Sequence, residues 1–169
     1  MIGRPVSSDL WVEIQDCINY MYQLDFSDSD ASHIVMLMSD RCRKRLWDGD
    51  DRALLALVYT AYIRFPQEQY ASGYHAYAEG AIWLTMKSGT SIARFGRAVE
   101  RNHKTYSASE KVLFLKLCDL VFPKTGKTEG AAASLRGLVT QVLREFSADP
   151  DPEVSRAARI LLARRDRSF

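Results

Sequence analysis

Apolar side chains return every three or four positions along almost the whole chain, the spacing that gathers them on one face of a helix. The pattern is clearest from Gly130 to Arg165, where Leu135, Leu138, Val139, Val142, Leu143 and Phe146 form one stripe. Asp149-Pro-Asp-Pro-Glu153 interrupts it, and Val154, Ala157, Ala158, Leu161 and Leu162 resume the same period. A helix, a proline-rich break and a second helix are predicted, folded back on each other as a packing pair. Neither stripe holds an acid, a base or a nucleophile.

The upstream segments follow the same logic. Ser7, Ser8 and Asp9 are candidate caps for a helix carrying Leu10, Ile14, Cys17, Ile18 and Met21. Ser27-Asp-Ser-Asp30 starts another, with Ile34, Leu37, Met38, Cys42 and Leu46 on its apolar face and Arg41, Arg43, Lys44 and Arg45 near its end, where cations suit the helix dipole. Trp47-Asp-Gly-Asp-Asp51 reads as a turn. The segment Arg52 to Phe65 is apolar almost all round, so it is expected at the centre of a bundle. Tyr70, Tyr74 and Tyr77 then repeat at helical spacing, with Gly73, Ala76 and Gly80 on the neighbouring face. Those glycines suggest either close approach of another helix or a kink. Ser88-Gly-Thr90 is a turn before Ile92, Phe95 and Val99, and Ser107-Ala-Ser-Glu110 fits a capping box that opens the helix of Val112, Leu113, Leu117, Leu120 and Val121. No stretch alternates with period two. The expected fold is therefore all-α, a compact multi-helix bundle of about eight helices in a single domain spanning residues 1–169, with helix pairing at the C-terminus.

The terminal pair also carries a resemblance. Leu138-Val-Thr-Gln-Val-Leu-Arg-Glu-Phe146, Asp149-Pro-Asp-Pro-Glu-Val154 and Arg156-Ala-Ala-Arg-Ile-Leu161 together resemble a single HEAT-type repeat. That family pairs two antiparallel helices and opens the second with an Asp-Pro-rich turn and a Val-Arg-Ala-Ala run. Here Ser155 separates Val154 from Arg156. The likeness covers about 35 residues, where a solenoid needs roughly three repeats to bury a continuous core. It implies a binding scaffold, and no functional residue carries over because the repeat's pattern is structural.

Composition narrows the class. Hydrophobic residues make up 47% and charged residues 26% of 169, the balance of a globular protein, and no apolar run approaches the ~20 residues of a membrane span. Cys17, Cys42 and Cys118 are far apart and sit on apolar stripes, so buried free thiols in a reducing compartment are expected. The N-terminus lacks the basic start and apolar run of a secretory signal, and a cytoplasmic protein is expected. Net charge is only +2, but residues 1–40 carry seven acidic groups against Arg4 alone, a local −6 that leaves +8 for the rest.

Candidate chemistry adds little. Asp28/Asp30 and Asp48/Asp50/Asp51 lack the spacing of a calcium loop and fall where caps and turns are expected. Gly126-Lys127-Thr128 resembles the end of a phosphate-binding loop, but Val121 occupies the position of the required glycine. His33, His75 and His103 lie in different segments without a metal-binding companion. No catalytic, cofactor-binding or metal-ligating residue is assigned, and no enzymatic activity is expected.

Binding is the remaining reading. The preferred expectation is a bacterial protein that engages another protein, such as an immunity or antitoxin protein neutralising a basic toxin. Its candidates are the acidic Asp25, Asp28 and Asp30 and the aromatic Tyr70, Tyr74 and Tyr77, side chains suited to charge-steered association and interface anchoring. The alternative is a nucleic-acid-associated helical scaffold using the basic face of Arg94, Arg97, Arg101 and Lys104.

Overall fold

A computed structural model of the protein describes residues 28–59, 71–121 and 131–166. These form seven α-helices and no strand: α1 Asp28–Trp47, α2 Arg52–Tyr59, α3 Ala71–Met86, α4 Gly89–Asn102, α5 Ala108–Val121, α6 Ala131–Ser147 and α7 Pro152–Asp166. A short 3-10 helix, His103–Thr105, links α4 to α5. The expected all-α class is observed. The expected count of about eight included a helix around Leu10 to Met21, which lies outside the described residues.

Two helices form the centre where the sequence pointed to one. Ala53 to Val58 of α2 have no exposed surface, as the lack of a polar face required. Along α5, Val112, Leu113, Phe114, Leu115, Leu117, Cys118 and Val121 are also buried. The reason is that α5 is packed by α2 on one side and α7 on another. Helices on two sides cover Phe114 and Leu115, which a single-stripe reading leaves out. Phe114 meets Phe146 of α6 edge-on with ring centroids 5.9 Å apart and Tyr106 at 6.0 Å.

The remaining helices pair around this centre. α1 lies against α3, and their packing includes a buried hydrogen bond between Ser39 Oγ and Thr85 Oγ1 at 3.0 Å. α3 runs without a break from Ala71 to Met86, and at Gly80 it is in ordinary van der Waals contact with α1. A Cβ on Gly80 would sit 3.5 Å from Val35 of α1. α6 and α7 form the predicted terminal pair, with Val139, Val142, Leu143, Val154 and Ala158 buried.

Polar residues set the helix ends. The Ser107/Glu110 capping box forms in full: Glu110 N donates to Ser107 Oγ at 3.2 Å and Ser107 N to Glu110 Oε1 at 3.0 Å. Asp151 caps α7, its Oδ1 accepting from Glu153 N at 2.9 Å, with Pro152 in the first helical position. Asp149 Oδ1 accepts from Asp151 N at 2.9 Å while Oδ2 binds Lys111 Nζ of α5 at 2.5 Å, tying the terminal turn to the centre. No helix among the described residues is long and apolar enough to cross a membrane.

Candidate functional site

The α1–α2 turn is held against the end of α4 by a buried polar network. Gly49 adopts φ +81°, the left-handed conformation that favours glycine, and this closes the turn. Asp50 Oδ1 accepts from Arg52 N at 3.0 Å and so starts α2. Asn102, the last residue of α4, donates through Nδ2 to Gly49 O at 3.1 Å and to Asp51 Oδ1 at 2.8 Å. The Tyr106 hydroxyl donates to Asp51 Oδ2. Asp51 has no exposed surface, and burial pushes its carboxyl above the usual carboxylate range despite the opposing hydrogen bond from Asn102 and the charge of Arg52. Arg52 in turn pairs with the buried Glu110 carboxylate at 2.5 Å and donates to Thr105 Oγ1 at 3.1 Å. The carboxylates of Asp50 and Asp51 are thus occupied in fixing a turn.

That fixed turn places Trp47 beside α4. Trp47 is the last residue of α1, and it is 61% exposed. The Arg94 guanidinium lies over its ring at 3.4 Å from the centroid. The turn meets α4 again further along, where the Arg101 guanidinium reaches 3.1 Å from the position a Cβ on Gly49 would take. Arg97 and Arg101, one turn apart on α4, are exposed, as is Lys104.

These positions correct the sequence reading in two respects. Lys104 belongs to the 3-10 helix rather than to the helix of the three arginines. The chain leaves α4 at His103, and Tyr106 turns inward to Asp51. Arg94 is half-buried against Trp47, so it is not part of a uniformly solvated face. Sequence reasoning also missed Trp47, which it treated only as a turn residue. The signal available was an aromatic residue two positions after the run Arg43-Lys44-Arg45.

Among the described residues none of Arg94, Arg97, Arg101 and Lys104 forms an ion pair, and Arg94 Nε is buried without a hydrogen bond. Elsewhere Arg43 pairs with Asp40, Arg52 with Glu110, Lys111 with Asp149 and Arg164 with Asp119. Arg94 thus lies on Trp47 and Arg101 beside Gly49, with Arg97 between them on α4 and Lys104 on the next element, none of the four in an ion pair with a described carboxylate.

None of the other candidates has a side chain within the described part of this site. Asp25 and Tyr70 lie outside the described residues. Asp28 and Asp30 fall in the first turn of α1 and Tyr74 and Tyr77 in the first half of α3, with their side chains outside the described part. His33 is exposed on α1. His103 is buried, with Nδ1 2.7 Å from Val99 O and Nε2 2.9 Å from Glu145 Oε2, both acceptors. Its place is between α4 and α6, away from any other histidine in the described residues. Among the described residues no group of three or more His, Cys, Asp or Glu side chains is placed to hold a metal ion. An open groove along α1 is lined by Leu37, Asp40, Arg41, Lys44, Arg45 and Asp48, and its mixed charges select for neither sign of partner. No family model, curated protein or solved structure matches the chain.

Proposed function

We propose that this protein is a non-enzymatic helical scaffold that binds nucleic acid through the outer face of α4, the 3-10 helix and the α1–α2 turn. The observation that carries the reading is a row of four cations, without ion-pair partners among the described residues, whose first member, Arg94, lies on an exposed tryptophan. Unpaired Arg and Lys on one surface attract phosphates irrespective of sequence, and their counterion release drives binding. The resemblance of α6 and α7 to a HEAT-type repeat supports a scaffold. The buried thiols of Cys42 and Cys118, neither in a disulfide, support a reducing, cytoplasmic setting.

A second reading has its own support in the local −6 charge of residues 1–40. A bacterial immunity or antitoxin protein would use Asp25, Asp28 and Asp30, with Tyr70, Tyr74 and Tyr77, to meet a basic toxin. Pull-down from lysate separates the two. Arg97→Glu/Arg101→Glu is compared with Asp25→Lys/Asp28→Lys/Asp30→Lys and the wild type, with and without nuclease. Loss of co-purifying nucleic acid from the arginine variant alone supports the nucleic-acid reading. Loss of a basic protein from the aspartate variant alone supports the protein reading and overturns the first.

A further inference from the structure

We infer that the α4 face selects single-stranded nucleic acid, with Trp47 as the platform on which one base stacks; this rests on the nucleic-acid reading above and deepens it. The Trp47 side chain is exposed, and its surroundings suit one class of ligand. Arg94 lies over one face of the ring at 3.4 Å, yet the residue remains 61% exposed, so the opposite face is open. The guanidinium holds the ring in one orientation, and a platform ordered beforehand loses less entropy when a ligand arrives. The turn that carries it is equally fixed, by Asn102 on Gly49 and Asp51 and by Tyr106 on Asp51.

The charges beside the ring match a strand rather than an isolated anion. Arg94, Arg97 and Arg101 rise about 10 Å along α4, and Lys104 extends the row onto the next element. A chain that lays a base on Trp47 can run its phosphates along this row. An aromatic ring beside a positively charged track is the combination by which proteins hold single strands without reading sequence. A duplex offers the same phosphates but keeps its base faces stacked inside, so it would use the cations and leave Trp47 uncovered. Charge complementarity and the open indole face therefore point to the same ligand.

The test measures fluorescence anisotropy of end-labelled oligothymidylate and oligouridylate of about twelve nucleotides, within the site sizes of known single-strand binders, and of a mixed-sequence DNA duplex of equal length. Wild-type protein, Trp47→Ala and Trp47→Phe are compared, with thermal melts confirming that each variant is folded. The expected result is tighter binding to one or both single strands than to the duplex. Trp47→Ala then weakens single-strand binding about 5-fold or more, Trp47→Phe recovers part of the loss, and duplex binding is unchanged. Equal affinity for strand and duplex, with no effect of Trp47→Ala, overturns the stacking role while leaving phosphate binding by the arginines in place. Absence of binding to any of the three oligonucleotides overturns this inference and the nucleic-acid reading together.

Discussion

Replacing Tyr106 with Phe removes a single oxygen from the network that holds the α1–α2 turn, and the consequence is set by what remains. Asp51 is fully buried and accepts from Asn102 at one oxygen and from Tyr106 at the other. Without the hydroxyl, Oδ2 keeps no donor among these and water has no access to it. The ring itself stays packed against Phe114, so its apolar packing is preserved. Leaving a buried acceptor unsatisfied costs about 1–3 kcal/mol. For a chain of this size each kcal/mol moves the melting temperature by about 2–4 °C, so a fall of about 2–12 °C is expected. The hydroxyl favours the charged carboxylate, so its removal raises the Asp51 pKa further. The native variant then holds its proton to higher pH than the wild type, and the penalty grows as pH rises through the native pKa. Urea denaturation followed by far-ultraviolet circular dichroism at pH 5 and pH 8 measures both effects. A stability within about 0.5 kcal/mol of wild type at pH 8, the range of an ordinary surface change, would refute the claim that Tyr106 satisfies Asp51.

Three other outcomes follow from particular side chains. Leu57→Ala, at a site with no exposed surface on α2, is expected to cost about 2–5 kcal/mol, and an unchanged denaturation midpoint would show that α2 is not central. Asp149 resists ionisation through burial, but the hydrogen bond and charge of Lys111, with the Asp151 backbone N–H, outweigh that and hold its carboxyl below the usual range. This stabilisation is present above the unfolded value of about 3.9 and is lost as pH falls through the depressed native value, so Asp149→Asn should lower the melting temperature at pH 7, with the difference disappearing in acid. Cys42 and Cys118, both buried, should react slowly with a thiol reagent under native conditions and rapidly in urea; fast native labelling at either would contradict their burial.

The helices were legible in the sequence because their information is local. The Ser107/Glu110 box, the Asp-Pro break before α7 and the apolar circumference of α2 each require only neighbouring residues to be interpreted. The second central helix was not legible, since Phe114 and Leu115 fall off the main stripe of α5 and are covered by helices distant in sequence. The basic row on α4 could be read from its spacing, whereas its pairing with Trp47 could not. That pairing joins residues from two helices and depends on Asp51, Asn102 and Tyr106 meeting across more than fifty positions of chain. Asp51 itself looked like an ordinary turn residue because burial leaves no trace in a run of aspartates.

Binding at this face requires Arg97 and Arg101 to meet phosphates, and the salt dependence of binding tests this most directly. Affinity for a labelled single strand is measured for wild type and for Arg97→Glu/Arg101→Glu across a series of salt concentrations. For the wild type, log K is predicted to fall linearly with log salt, and the variant's slope should be shallower by about 0.7 for each phosphate it no longer neutralises. A variant that binds with the wild-type affinity and the wild-type slope would contradict the assignment of this face.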